Sequence, residues 1–302
     1  MNAPRSSHRA RLARAFTVSL VALVAAPAVA LAQPPDADHA PEPPPPARPA
    51  RGYGLYLRLG GALIAPVSSS HEMELADVQG PASLAVHNGP IAGSGAKVDS
   101  AMIPALIVGY VLPFGRRRWS LETVLGPPFT VKFESTGTLA NMSIAPTALG
   151  IPTGVGPLGT ELGEATAVPP VLTAVYRMLD GGFRPYAGAG GTVMFSYNEH
   201  VTNPTLTAVS RPEMSIAPAP GLVLQGGFDA LLWKSARPGV WKAVYARLDV
   251  KFIAFLQARA EVRHLVVETP GLPLFDNVEV GTARMNLWVN PFIVQAAVGA
   301  DF

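Results

Sequence analysis

Cysteine is absent from the 302 residues of this chain, and charged residues are scarce. The lack of cysteine excludes disulfide bridges, iron–sulfur clusters and thiolate zinc sites. Charged side chains make up 15% of the sequence and hydrophobic ones 49%, whereas a typical soluble domain has about 25% charged residues. The chain therefore has too little charge to cover an ordinary water-facing surface.

Long hydrophobic runs are also missing beyond the N-terminal region. The charge-free stretch 137–160 is long enough to span a membrane as a helix, but glycine, proline, threonine and serine interrupt it repeatedly. The 31 prolines and 29 glycines favour many short segments separated by turns. We therefore expect no transmembrane helix after the N-terminus.

Residues 1–32 have the features of a secretory signal peptide. Four arginines precede an apolar run that starts at Ala15, and Ala30-Leu31-Ala32 supplies a small-residue cleavage pattern. The alternative, a membrane anchor, is disfavoured by the shortness of the run and by Pro27. Removal of this segment leaves 19 basic against 21 acidic residues, so the formal charge changes from +2 to −2. The basic balance that would favour a nucleic-acid partner disappears with it.

Residues 33–51 form a proline-rich segment, and half of residues 34–49 are proline. Such a run favours extended polyproline II structure and cannot form a core. We interpret it as a periplasmic spacer, with a docking motif for another protein as the alternative.

The remaining residues, 52–302, show a period of two. In residues 244–252, Val244, Leu248 and Val250 alternate with Arg247 and Lys251. Near the start of this region, leucines alternate with a face that includes Tyr56 and Arg58. This pattern is typical of strands with one apolar and one polar face, which both a soluble sandwich and a membrane barrel contain.

The connections between strands distinguish these two folds. Four long connections (67–99, 135–165, 199–216, 259–283) alternate with three short ones, FGRRR, DGGFR and KSARPG. This alternation predicts an all-β, eight-stranded antiparallel transmembrane β-barrel with short periplasmic turns and long extracellular loops, in the outer membrane of a Gram-negative bacterium. The predicted strands are 53–66, 100–113, 119–134, 166–178, 184–198, 217–233, 240–258 and 284–302.

A barrel must pair its last strand with its first, because unpaired backbone groups in hydrocarbon cost several kcal/mol each. The alternation that reaches Phe302 fits such a closing strand. Aromatic residues near strand ends should lie at the two membrane–water interfaces; they are Tyr53, Trp119, Trp233, Trp241, Trp288 and Phe302.

Four strings in this order resemble the OmpW family of small outer-membrane barrels: GPPF (126–129) on the third strand, VPP (168–170) opening the fourth, FRPYAGAG (183–190) and NPFIVQAAVGADF (290–302). The histidine usual in the family after Pro-Phe is absent, since Thr130, Val131 and Lys132 follow Phe129. The resemblance implies a narrow, mainly hydrophobic passage for small apolar molecules, with a possible sideways exit into outer-membrane lipid. It also implies that Phe302 acts as an assembly signal for the barrel-insertion machinery.

Six charged residues are predicted to face the lumen: Arg58, Glu122, Arg184, Arg247, Asp249 and Lys251. They could form a selectivity belt, or they could neutralise one another and fill the interior of a small barrel. In either case we expect the periplasmic half to be plugged, which favours a lateral exit over straight-through flow.

The other candidates point to no catalytic, cofactor or metal site. Arg116, Arg117 and Arg118 could bind a polyanion but fit a solvated turn. The histidines His71, His87, His200 and His264 fall in or near long loops without metal-ligand spacing, and no predicted strand brings a histidine beside Ser143 or Ser196. We predict that the protein is not an enzyme. The alternative to a passage is a structural, receptor or adhesion protein that acts through its external loops.

Overall fold

The computed structural model describes residues 54–67, 69–236, 241–272 and 274–302. The predicted signal peptide (1–32), the predicted spacer (33–51) and Tyr53 lie outside the described residues.

Eight antiparallel strands close into a barrel, as the sequence predicted. Each strand pairs with its neighbours in the chain, and the last pairs with the first, from Tyr56 opposite Asp301 to Ala65 opposite Phe292. The strands are β1 (Leu55–Ala65), β2 (Ala101–Val111), β3 (Trp119–Leu125), β4 (Val171–Arg177), β5 (Phe183–Val201), β6 (Ala219–Lys234), β7 (Ala243–Ala254) and β8 (Phe292–Asp301).

Side chains alternate between the interior and the outer surface along these strands. On β1, Arg58 is 0% exposed, whereas the neighbouring Leu59 is 66% exposed. On β7, Arg247, Asp249 and Lys251 point inward and are buried. An apolar outer face with a polar inner face is the arrangement of a barrel in lipid.

The barrel has a turn end and a loop end. At the turn end, β2 and β3 are joined by residues 112–118, which include the 3-10 helix Gly115–Arg117, and β4 and β5 are joined by residues 178–182. Arg116 and Arg117 have left-handed φ values of 56° and 60°. Trp119, Trp233 and Trp241 are exposed at this end, whereas Trp288 pairs with Ser69 at the loop end.

Most residues of the predicted long loops form strands or short helices. One sheet pairs Ser94–Val98, Phe129–Gly137 and Glu161–Val168 with the upper part of β5. A second sheet contains Glu213–Ile216, Gln257–Glu268, Asn277–Trp288, Glu74–Ala76, Gly89–Pro90 and Ser69–Ser70. The remaining elements are Thr147–Ala148, Ile151–Pro152, the 3-10 helix Gly80–Leu84, α1 (Thr138–Asn141) and α2 (Pro204–Thr207). No helix among the described residues is long and apolar enough to cross a membrane.

The predicted loop 259–283 was therefore too long. Strands Gln257–Glu268 and Asn277–Trp288 occupy most of it. Their outward faces carry charged residues such as Glu261, Arg263 and Arg284. The apolar pattern stops at the edge of the membrane, whereas the strand pairing continues into the water.

Two prolines stand directly before the fourth strand, so VPP (168–170) leads into β4 as the sequence predicted. Pro169 and Pro170 separate the loop-end strand Glu161–Val168 from β4, which begins at Val171. The third strand is broken in the same way between Leu125 and Phe129, by Gly126, Pro127 and Pro128. Proline has no backbone N–H to donate to a sheet, and therefore both ladders end there.

Candidate functional site

The interior of the turn-end half is filled by a network of polar side chains, which we call the polar plug. Its members come from several strands because every second residue of a strand points inward. The buried members are Tyr56, Arg58, Glu122, Arg177, Tyr186, Gln225, Asp229, Arg247, Asp249, Lys251 and Gln295, and half-buried Arg184 and Asp301 lie at its edge.

Arg247 stands at the centre of the polar plug. Its Nη1 donates to Glu122 Oε1 at 2.9 Å, and its Nε donates to Asp229 Oδ1 at 2.7 Å. Its guanidinium also lies 4.5 Å from the ring centre of Tyr186. One side chain of β7 thus holds carboxylates from β3 and β6, and the close pairing offsets the cost of burying these charges.

Asp249 continues the network towards the loop end. Its Oδ2 accepts hydrogen bonds from Lys251 Nζ at 2.8 Å, Gln225 Nε2 at 2.9 Å and the Tyr186 hydroxyl at 3.0 Å. Gln225 also donates to Glu122 Oε2 at 2.9 Å. The chain of contacts from Lys251 to Arg247 is therefore continuous.

Arg58 extends the network to the turn end. Its Nη2 donates to Asp301 Oδ1, and Arg184 Nη1 donates to the other oxygen of Asp301 at 3.0 Å. Arg58 Nε lies 4.0 Å from Asp229 Oδ1. Arg177 lies over the Tyr56 ring at 4.8 Å and has no ion pair among the described residues.

The structure places all six predicted lumen residues in the interior, with Arg184 nearest the turn end. Two central members of the polar plug, Asp229 and Gln225, were not among the predicted lumen residues, although both stand at inward-facing positions of β6. The same is true of Gln295, Asp301 and Arg177. The signal that could have found them is the period of two, applied to every strand instead of only the most charged ones.

Three apolar cavities lie above the polar plug. The loop-end cavity, of about 70 Å³, has walls of apolar side chains alone. The middle cavity, of about 60 Å³, shares Phe133 with the loop-end cavity. The gap cavity, of about 100 Å³, shares Ile64, Pro169 and Ile293 with the middle cavity. These shared walls make the cavities successive neighbours between the loop end and the plug.

The roof of the loop-end cavity is formed by residues of the predicted loops. Leu139 of α1 and Leu206 of α2 are both buried there. Asn203 fixes the roof, since its Oδ1 accepts from the Leu206 amide at 3.1 Å and its Nδ2 donates to the Leu158 carbonyl at 2.7 Å.

The gap cavity adjoins a break in the barrel wall, which we call the lateral gap. Residues 101–105 of β2 pair with β1 but have no partner in β3, because the β2–β3 ladder ends at Leu106 and Leu125. Residues 126–128 and 169–170 form the opposite side of this gap. Prolines cluster here, at positions 104, 127, 128, 169 and 170. A proline-rich break leaves few backbone donors unpaired in hydrocarbon.

The kink on the opposite side of the barrel is bridged. Between β7 and β8, the Ile253 amide donates to the Pro291 carbonyl at 3.0 Å, and the Val289 amide donates to the Leu256 carbonyl at 2.9 Å. This kink is therefore closed, whereas residues 101–105 beside the gap cavity have no partner in β3.

Ion pairs on the outer surface of the described residues lie at the two ends of the barrel: Arg118 pairs with Asp180 at the turn end, and several pairs lie towards the loop end beyond the apolar belt. Lys97 Nζ lies 2.7 Å from Glu134 Oε2; this hydrogen bond lowers the pKa of Glu134 and raises the pKa of Lys97. A hydrogen bond from Arg263 likewise lowers the pKa of Glu261. Because outward charges are costly in hydrocarbon, these pairs mark where the membrane-facing wall ends.

The other sequence candidates lie away from the cavities. His200 and His264 pair with Glu164 and Glu279 at the exposed loop end, and His71 and His87 are exposed. Within the described ranges, no group of three or more histidine and acidic side chains is arranged to hold a metal. Ser143 Oγ accepts from the Ala145 amide, and Ser196 Oγ donates to the Ile216 carbonyl.

Comparison with known proteins places the chain among outer-membrane barrels. The model of the OmpW family matches residues 71–302. The crystal structure of the outer membrane protein OprG from Pseudomonas aeruginosa aligns with 83% of this chain and 98% of its own, at 19% identity and a TM-score of 0.58. The NMR solution structure of E. coli outer membrane protein W aligns over the same shares at 16% identity and a TM-score of 0.40. Comparison with curated protein sequences found no match.

Proposed function

This chain belongs to the OmpW family of Gram-negative outer-membrane barrels, and from that premise we propose that it carries small apolar molecules from its loop end to the lateral gap. The molecules would enter from the extracellular side, move through the three cavities and leave sideways into the membrane. The observation that carries this proposal is the series of apolar cavities that ends beside the break between β2 and β3.

The polar plug argues against flow straight through the barrel. Arg247, Glu122 and Asp249 are between 0% and 2% exposed and bonded across the lumen. A solute that continued to the periplasm would have to separate these buried ion pairs, and breaking one such pair costs about 3–5 kcal/mol. The path of lowest cost therefore turns aside above the plug.

The cavity walls select against polar solutes. The loop-end cavity offers no polar side chain, so a solute hydrogen-bonded to water would lose those bonds on entry without replacement. An apolar molecule gains about 25 cal/mol for each Å² of its surface that leaves water. The molecule then passes from the gap directly into the surrounding lipid and is not exposed to water again.

A reversible disulfide across the lateral gap tests the exit. A Cβ at position 126 would lie 3.4 Å from the Ile103 Cδ1 atom, so Gly126→Cys with Ile103→Cys brings two thiols to the gap. The chain has no native cysteine to interfere. In proteoliposomes with a fluorescent apolar probe, oxidation should slow uptake several-fold, and a reductant should restore it.

The single variant Gly126→Cys, which cannot form the bridge, is the control for effects of oxidant and reductant. Equal uptake by oxidised and reduced double variant, with the disulfide verified by mass spectrometry, would show that the solute does not leave through this gap. Uptake no faster than in protein-free vesicles would refute the passage as a whole.

A further inference from the structure

The gap cavity is the one of the three with buried polar side chains in its lining: the loop-end cavity has no polar residue, and the two polar residues of the middle cavity, Asp99 and Thr130, are exposed. Among its lining residues, only Lys251 and Gln295 carry polar side chains, and they are 1% and 2% exposed. The rest of its wall is aliphatic, proline or glycine. Any molecule that reaches the lateral gap passes over these two side chains.

Both side chains present hydrogen-bond donors to this space. An ammonium group has three N–H donors; Lys251 uses one for Asp249 Oδ2 at 2.8 Å and one for Gln295 Oε1. Because that oxygen of Gln295 accepts from Lys251, the amide nitrogen is the atom through which this side chain can donate to a bound molecule. A molecule with a hydrogen-bond acceptor at one end would satisfy these donors.

The charge of the surroundings favours an anionic acceptor. The polar plug contains five basic side chains (Arg58, Arg177, Arg184, Arg247, Lys251) and four acidic ones (Glu122, Asp229, Asp249, Asp301). The formal excess is therefore one positive charge. Arg177, at the turn end, is the base without an ion pair among the described residues, so the excess belongs to the plug as a whole; a carboxylate bound beside Lys251 would bring the formal sum to zero.

We infer that the gap cavity binds aliphatic monocarboxylates, with the carboxylate held by Lys251 and Gln295 and the chain in the apolar cavities. This inference rests on the proposed function and specifies its solute: an amphiphile with an apolar body and one acidic head. Charge-assisted hydrogen bonds are the stronger kind, so the head group gives selectivity, whereas the apolar walls only accept or reject by size and polarity.

The test compares octanoate with octanamide, which have the same chain and differ in the charge of the head. Binding to the full chain in lipid nanodiscs is measured by isothermal titration calorimetry, with empty nanodiscs as the blank. We expect octanoate to bind at least about tenfold more tightly, the fold-change that a hydrogen bond to a charged group typically supplies.

The informative variant neutralises the site without leaving a lone charge. In Lys251→Met with Asp249→Asn, the asparagine oxygen still accepts from Tyr186 and Gln225, and the preference for octanoate should disappear. The matched control is Lys97→Met with Glu134→Gln, an exposed pair at the loop end, which should keep the preference. Gln295→Met, which retains both charges, should reduce the preference less than the double variant does.

Equal binding of the two probes to the wild type, or an unchanged preference in the Lys251 variant, would overturn the inference. If neither probe bound while vesicles with the protein still took up an apolar probe, this inference would fail and the proposed passage would stand. If that uptake failed as well, both would be overturned.

Discussion

Replacement of Arg247 by leucine should destabilise the folded barrel strongly, because it leaves two carboxylates without their main partner. Arg247 is 2% exposed and bonds Glu122 at 2.9 Å and Asp229 at 2.7 Å and 3.3 Å. Glu122 keeps its bond from Gln225, and Asp229 keeps only the distant Arg58 Nε at 4.0 Å. Asp229 is therefore the group whose burial becomes most costly.

The expected magnitude follows from this geometry. Removal of one partner from a buried ion pair costs about 3–5 kcal/mol, since the remaining charge stays desolvated. Arg263→Leu is the control, because Arg263 lies 3.2 Å from Glu261 with its side chain 59% exposed, and solvent-exposed ion pairs contribute little to stability. The two variants make the same chemical change in the two environments.

The free energy of unfolding can be measured by urea titration of each variant in lipid vesicles, with the heat-dependent shift on electrophoresis as the measure of folded barrel. A triple variant, Arg247→Leu with Glu122→Gln and Asp229→Asn, should recover much of the loss because neither former partner of Arg247 still carries a charge. If Arg247→Leu and Arg263→Leu lowered the free energy of unfolding equally, the polar plug would not be the buried ion-pair network described above.

Two further predictions concern a glycine of the wall and the closing strand. Gly227→Ala should destabilise the barrel by about 1–3 kcal/mol, because the new Cβ would lie 2.3 Å from the Leu248 carbonyl oxygen and 2.6 Å from the Tyr186 hydroxyl. The control is Gly226→Ala, whose Cβ would have no atom within 4 Å. It should be nearly neutral in the same urea titration. If the two variants lowered the free energy of unfolding equally, the close contacts at position 227 would not be the cause of destabilisation. Phe302→Ala removes the ring that lies 5.5 Å from the Trp241 ring and should slow membrane assembly far more than it lowers the stability of the assembled barrel. Normal kinetics of insertion into vesicles that contain the insertion machinery would rule out the predicted role as an assembly signal.

Much of the candidate site could be predicted because inward and outward positions alternate strictly. The parity of β7 alone was enough to predict that Arg247, Asp249 and Lys251 face the interior. It could not show which acid each base would meet, since Glu122 and Asp229 come from strands 125 and 18 residues away from Arg247 in the chain. Such partners are fixed by the register between strands and by the closure of the barrel.

The arrangement of the prolines, by contrast, could not be predicted from the sequence pattern. The strings GPPF and VPP supported the resemblance to the OmpW family, but their order along the chain gave no reason to bring them together. In the folded barrel, neighbouring strands place residues 126–128 beside residues 169–170, and residues 101–105 of β2 are left without a partner on that side. A pair of prolines interrupts one ladder, whereas two such pairs on adjacent strands open a wall.

The sequence by itself determined the class of fold, the number of strands and the inward face, because period-two alternation and loop length follow from local geometry and from the cost of unpaired backbone in lipid. Only the tertiary structure decided that the turn-end half is filled by ion pairs, that three apolar cavities lie above them and that the wall is open beside the lowest cavity. These features depend on which strands become neighbours and in what register, and this is settled only when the barrel closes.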